Sequence, residues 1–165
     1  INHFLACTNL NNAIPRYLKS GVYTPKPTIQ TISNAMDVGN PSNFIRVQKI
    51  FNNDIHKLKK NVTGYSFNDN ETKKCIKNIY KKTKYILDPH GAIGYLGLKK
   101  YFKKTPNQIG IFMETAHPCK FAEIVEKTIN EKIDIPKKLN KTLKGVKNSI
   151  KISDYSQLKE YLLGG

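Results

Sequence analysis

The sequence lacks the features that mark membrane and secreted proteins. No apolar run approaches the length of a membrane span, and no signal-peptide pattern opens the chain. There are only three cysteines, Cys7, Cys75 and Cys119, and they have neither zinc-ligand nor thioredoxin spacing. We therefore expect reduced thiols, a cytoplasmic location and no metal site.

Arginine is scarce, although the net charge is +16. A charge of this size is typical of nucleic-acid-binding proteins. The only arginines, however, are Arg16 and Arg46, and the lysines are dispersed along the chain. Dispersed lysine is poorly suited to bidentate contacts with phosphate or guanine. We interpret the charge as a bias in amino-acid composition that lies on solvated faces. We therefore expect neither nucleic acid nor a membrane as a partner. A basic nucleic-acid-binding module is the alternative.

The order of apolar and polar runs predicts an α/β protein. With 165 residues and 39% hydrophobic content, the chain is long enough for one domain with a core. Strand-like runs at 2–10, 85–87 and 109–113 each end in polar residues, and helical patterns follow the last two. This alternation predicts a three-layer fold with a mostly parallel sheet and covering helices. Because Ile1 already lies in an apolar run, we expect a fragment or a chain whose beginning has been removed.

Other segments have a helical or weakly strand-like pattern. Cys75, Ile76 and Ile79 fall on one face of a predicted helix, so Cys75 is expected to be a core residue rather than a nucleophile. The predicted helices cover residues from near 42 to about 58, 71–82, the run from Gly91, 120–128 and 155–163, and a weak strand covers 62–67.

The run TISNAMDVGNPSNF, residues 31–44, combines small and polar side chains with a predicted turn. Gly39 tolerates a positive φ and Pro41 fixes the next φ, which favours a turn there. Asn40 or Ser42 is then positioned to cap the following helix, whose free N–H groups favour an anion. The alternative is an ordinary surface turn with a helix cap.

Polar residues at the ends of the predicted strands are candidates for ligand contacts. Thr8, Asn9 and Asn12 follow the first strand, where they either contact a ligand or close a turn. Arg16 either clamps a phosphate or carboxylate or lies on the surface. His90, at the corner between strand and helix, is expected to be a hydrogen-bonded residue of a helix cap.

Four blocks of the sequence resemble one enzyme family, the threonine synthases, which are pyridoxal-phosphate (PLP) enzymes of fold type II, similar in fold to the tryptophan synthase β-subunit. The blocks occur in the family's order and extend from near residue 4 to about residue 136; they are FLACTNLNNAIPRYLKSG, TISNAMDVGNPSNF, YILDPHGAIGYLGLKKY and GIFMETAHPCKFAEIVE. One departure is Asn12, where the family usually has Asp.

The resemblance implies roles for particular residues. Thr115, in the family's TAHP motif, is implied as the partner of the PLP ring nitrogen. The Schiff-base lysine and the Gly-rich phosphate loop are implied to precede Ile1, so no catalytic residue is assigned here. The residues implied as substrate contacts are Asn9, Arg16, Ser33, Asn34 and Asp37.

The function implied by the resemblance is that of a carbon–oxygen lyase in threonine biosynthesis. It converts O-phospho-L-homoserine and water to L-threonine and phosphate. Residues 1–136 would form the C-terminal part of the catalytic domain and 137–165 a tail with a short helix. The implied partner is the upstream half of the same enzyme, without which we expect the chain to be inactive. A non-catalytic folded remnant is the alternative.

Overall fold

Two parallel strands form the sheet of the described chain. A computed structural model describes residues 1–143 and 145–164. Strand β1 (Phe4–Thr8) pairs with β2 (Val62–Ser66) in a register that sets Phe4 opposite Val62 and Thr8 opposite Ser66. Parallel strands need a long crossover connection, and here three helices occupy it. The expected α/β class is confirmed.

Helices make up most of the remaining regular structure. Their bounds are α1 Ala13–Ser20, α2 Phe44–Ile50, α3 Ile55–Asn61, α4 Asp69–Thr83, α5 Pro89–Phe102, α6 Ala122–Ile129, α7 Lys137–Leu143 and α8 Tyr155–Leu163, with 3₁₀ turns at Asn34–Met36 and Pro118–Phe121. Within the described ranges, no helix is long and apolar enough to cross a membrane.

The main hydrophobic core lies between α4, α5 and α6. Ile76, Ala92 and Val125, one from each helix, are completely buried in it. Cys75 belongs to the same cluster, and burial raises the pKa of its thiol to about 11. A thiol with that pKa stays protonated at neutral pH, so the interpretation of Cys75 as a core residue is confirmed.

The helix predicted from near Ser42 to about Leu58 is wrong, because the chain breaks it into α2 and α3. Asn52 and Asn53 adopt φ values of 53° and 58°, in the left-handed region that asparagine tolerates. Asp54 then caps α3 by accepting hydrogen bonds from the backbone N–H groups of His56 and Lys57. Two asparagines followed by aspartate are a turn-and-cap signal that outweighs apolar spacing.

The strands predicted at 85–87 and 109–113 are also wrong. Both segments are irregular, because neither has a hydrogen-bonded strand neighbour among the described residues. The second keeps the alternation of a strand: Ile109 and Ile111 are 99% and 80% exposed, whereas the Phe112 ring packs edge-on against Tyr95. Alternating hydrophobicity indicates which side chains pack against the core. A strand also needs a neighbouring strand to which its backbone can hydrogen-bond.

The remaining predicted helices are confirmed with shifted ends. Asn68 caps α4 through a reciprocal capping box with Glu71, and Asp88 caps α5 with Pro89 in its first turn. The helix expected at 120–128 begins instead as the 3₁₀ turn Pro118–Phe121 and continues as α6.

The chain separates into two compact units, and the second begins at Asp134. It contains α7 and α8. Helix α8 has the bounds that its sequence pattern predicts, and Asp154 caps it by accepting a hydrogen bond from the Gln157 N–H at 3.0 Å. The sequence pattern does not predict α7.

Candidate functional site

A network of polar side chains joins the end of β1 to the loop at 29–37. Asn9 Nδ2 lies 2.8 Å from Thr31 Oγ1, 3.0 Å from Ser33 Oγ and 2.8 Å from Asp37 Oδ1. Asn11 Nδ2 donates to Asn9 Oδ1 at 3.0 Å and lies 3.1 Å from Asp37 Oδ1. The structure thus brings together three predicted substrate contacts, Asn9, Ser33 and Asp37, whose side chains bind one another.

The Asp37 carboxylate is the acceptor at the centre of this network. Its Oδ2 accepts the Thr31 N–H at 2.8 Å, and its Oδ1 accepts the Thr31 hydroxyl at 2.7 Å. Asn9 is 1% exposed and Ser33 is completely buried. Because buried polar groups need partners, these hydrogen bonds fix the loop against the strand end.

Gly39 follows this loop, and glycine is needed there for a different reason than the positive φ that the sequence predicts. Its φ is outside the positive range, so the expectation of a left-handed glycine is wrong. A Cβ atom here would lie 2.0 Å from the carbonyl oxygen of Lys26, so glycine is required for close backbone approach. Nor does Asn40 or Ser42 cap α2: the cap position is Asn43, and the Asn40 side chain accepts from the Tyr23 hydroxyl.

Arg16 lies at the edge of the network, on α1. Its Nε donates to Asn12 Oδ1 at 3.0 Å, and one terminal nitrogen donates to the Thr24 carbonyl at 2.6 Å. The side chain is half-buried, and the guanidinium group retains donors for an anion. Asn12, the position where the family usually has Asp, thus orients Arg16 in this chain.

Asn34 is exposed at the start of a 3₁₀ turn and borders an open cavity of about 380 Å³. Thr31, Asp69, Lys120 and Phe121 also line the cavity. It therefore connects the polar network to the segment that follows the TAHP motif. Thr8, the remaining strand-end candidate, donates its hydroxyl hydrogen to the Asn9 carbonyl, as in the turn-closing alternative.

A second polar corner lies where α5 begins. Asp88 is completely buried, and its Oδ1 accepts the His90 N–H at 2.8 Å and His90 Nδ1 at 2.7 Å. The imidazole packs against the Phe121 ring at 4.8 Å. The expectation that His90 is a hydrogen-bonded residue of the cap is confirmed, and its Nε2 is buried without a partner in the described structure.

Glu114 belongs to this corner, and the motif reading missed it because the TAHP pattern begins one residue later. Burial, followed by the negative charge of Asp88, raises the pKa of the Glu114 carboxyl to about 7. The Asp88 N–H and His90 act in the opposite direction. The signal available in the sequence was an acidic residue directly after the apolar run 109–113.

Thr115 follows Glu114 and is exposed. In the part of the chain that the structure describes, its hydroxyl makes no hydrogen bond, so both its donor and its acceptor functions are free for a ligand. The segment before it is not the strand on which its placement was predicted. Thr115 instead follows an irregular segment, directly after Glu114, and its role toward the PLP ring stays a prediction.

Comparison with known proteins shows similarity to threonine synthases. A family model described as "Threonine synthase, C-terminal" matches residues 91–162. The threonine synthase of Buchnera aphidicola (subsp. Schizaphis graminum) is 41% identical over 165 residues, covering 99% of this chain and 37% of the relative. That of Escherichia coli is 40% identical over 139 residues, covering 84% of this chain and 32% of the relative.

Solved structures share the fold. The crystal structure of Escherichia coli threonine synthase has a TM-score of 0.86 and 34% identity, with 99% of this chain and 38% of that chain covered. The structure of PLP-bound threonine synthase from Brucella melitensis has a TM-score of 0.79 and 23% identity, with 98% and 40% covered, and shows the fold alone.

The α/β fold is therefore that of solved threonine synthase structures, one of which is bound to PLP. Over 99% of its length the chain is similar to threonine synthases, and the match includes that family's C-terminal region. It spans about 37% of the length of the Buchnera relative.

Proposed function

We propose that this chain acts as the C-terminal part of a PLP-dependent threonine synthase, a lyase that converts O-phospho-L-homoserine and water to L-threonine and phosphate. The observation that carries the proposal is 41% identity to a threonine synthase over 99% of the chain. Residues 1–136 would contribute to the catalytic domain and 137–165 would form a tail. A cytoplasmic location and the upstream half of the enzyme as partner are parts of the same proposal.

Thr115 fits the role of partner to the PLP ring nitrogen. Its hydroxyl is exposed and not engaged within the described residues, and a neutral hydroxyl can donate to or accept from a pyridine nitrogen. When bound, PLP supplies an electron sink for carbanions formed on the substrate. The task of Thr115 is to hold the ring by its nitrogen without adding a charge.

The proposed substrate contacts fall into two groups, those with side chains free to reach a ligand and those engaged with one another. Arg16 retains guanidinium donors for the substrate phosphate or carboxylate, and Asn34 is exposed beside the cavity. Asn9, Ser33 and Asp37 are engaged with one another, so their contribution is to hold the loop that carries Asn34. We assign no catalytic residue and no Schiff-base lysine to this chain, and expect it to be inactive by itself.

Replacing Thr115 by valine in the complete polypeptide tests the proposal. Valine keeps the shape and removes the hydroxyl, which costs about 1–3 kcal/mol in a closed site. We expect phosphate release from O-phosphohomoserine to fall roughly tenfold to hundredfold while PLP occupancy, followed by absorbance, is unchanged. The matched control, Thr115→Ser, restores the hydroxyl and should recover most of the turnover. Full turnover of the valine variant at full occupancy would remove Thr115 from the site.

A further inference from the structure

The first turn of α5 holds the Glu114 carboxyl group in a space that only glycine leaves open. A Cβ atom at Gly91 would lie 1.3 Å from Glu114 Oε1 and 2.4 Å from Glu114 Cδ. The same point is 3.3 Å from Asp88 Oδ2. The carboxyl groups of Glu114 and Asp88 therefore border one small space at the beginning of the helix.

The hydrogen bonds in this space are unequally distributed. Asp88 accepts three N–H groups, from the backbone and ring of His90 and from the backbone of Gly91. Glu114 Oε1 is buried and has no hydrogen-bond partner among the described residues. A buried carboxylate oxygen without a donor, next to a second carboxylate, is costly, whereas a protonated carboxyl can donate to its neighbour.

We propose that Glu114 is a positioning residue for Thr115: its carboxyl group is protonated and shares that proton with Asp88, which ties the residue before Thr115 to the first turn of α5. The proposal rests on the proposed function only for the role of Thr115. The pairing of Glu114 with Asp88 stands on the geometry of the corner.

The electrostatics of the corner agree with this arrangement. The raised pKa of Glu114, about 7 against 4.5 for the ordinary group, keeps the acid protonated below neutral pH. The titratable groups that interact with it are Asp88, His90 and Tyr85, and the Glu114 charge contributes to a raised pKa of the Tyr85 hydroxyl. Stability from the protonated acid is fully present below pH 4.5 and is lost as the pH rises through about 7.

A carbon-13 NMR titration of the complete polypeptide, with labelled glutamate side chains and Glu114→Gln for assignment, tests the pairing without reference to enzyme activity. We expect the Glu114 carboxyl to titrate with a midpoint near 7. A midpoint near 4.5, the ordinary value for a glutamate, would overturn the shared proton. The midpoint is measured in the wild-type protein, and Glu114→Gln serves only to identify the Glu114 resonance.

Glu114→Gln and Glu160→Gln, the latter at an exposed position on α8, then test positioning. Glutamine donates its amide N–H to Asp88 at every pH, so Glu114→Gln should abolish any change in the PLP spectrum of wild type between about pH 6 and 8. Glu160→Gln should keep that change. If Glu114 titrates near 7 but wild type and Glu114→Gln have the same spectral pH profile, the positioning role is wrong. If no PLP binds, the proposed function fails while the NMR result still decides the pairing.

Discussion

Asn9 shows how a polar side chain that is a candidate ligand contact can be engaged by the fold instead. Its amide group lies among Thr31, Ser33 and Asp37, and it is almost fully buried. The same residues that look like substrate contacts in the sequence therefore hold a loop in place. Their effect on catalysis would pass through Asn34 and the backbone of that loop.

We predict that Asn9→Ala destabilises the chain. The substitution removes an amide group and leaves the buried Ser33 and the half-buried Asp37 short of a partner, at a cost of about 1–3 kcal/mol. The matched control is Asn34→Ala, whose exposed side chain should change the free energy of unfolding by less than about 0.5 kcal/mol. Urea unfolding measures both. Equal stability of the Asn9 and Asn34 variants would show that the buried network does not hold the loop.

The sequence singles out some candidate residues for the site but not their partners. Thr115 is recognisable because it lies in a motif, and Arg16 because its chemistry is distinctive. Glu114 is not recognisable in the sequence. Its raised pKa depends on the space that Gly91 leaves and on the closeness of Asp88, and both arise from the tertiary structure. Sequence spacing reports neither.

At the scale of elements, helix α5 contains two glycines beyond its first turn, Gly94 and Gly97, that face neighbouring residues. The two differ in how closely a neighbouring residue approaches them. A Cβ atom at Gly97 would lie 2.1 Å from Cys7 Sγ on β1, whereas at Gly94 the nearest atom, Phe112 Cβ, is at 3.4 Å. Close contact between α5 and the sheet therefore depends on Gly97.

We predict opposite effects of alanine at these two positions. Alanine gains about 0.5–1 kcal/mol over glycine within a helix, and both variants share that gain. At Gly97 the added methyl group collides with Cys7, and overpacking typically costs about 1–3 kcal/mol. Gly94→Ala should be neutral or stabilising and Gly97→Ala destabilising by thermal unfolding. Equal melting temperatures would contradict the packing of α5 against β1.

The elements that sequence reasoning misplaced have two physical causes, one tertiary and one local. Residues 109–113 alternate like a strand, but strand formation needs a neighbour in the ladder. Helix α2 ends before Asn52 because left-handed asparagines and the Asp54 cap act locally against a continuous apolar pattern. Caps such as Asn68 and Asp88 are predictable because they satisfy N–H groups within a few residues.

At the scale of the whole molecule, the charge of +16 is the property that most suggests a different function. We predict that the protein binds duplex DNA only weakly and without sequence preference at physiological salt, because its cations are dispersed lysines. A fluorescence titration at two salt concentrations measures this. Tight, sequence-selective binding would favour a basic nucleic-acid-binding module over an enzyme.

The most direct test of the proposed function follows the oxygen of water. The complete polypeptide with PLP is incubated with O-phospho-L-homoserine in ¹⁸O-water, and both products are analysed by mass spectrometry. A carbon–oxygen lyase breaks the bond between the substrate carbon and the phosphate oxygen, so the account predicts ¹⁸O in the hydroxyl group of threonine and none in phosphate. Labelled phosphate with unlabelled homoserine, the result of phosphoester hydrolysis, or no reaction at full PLP occupancy, would contradict it.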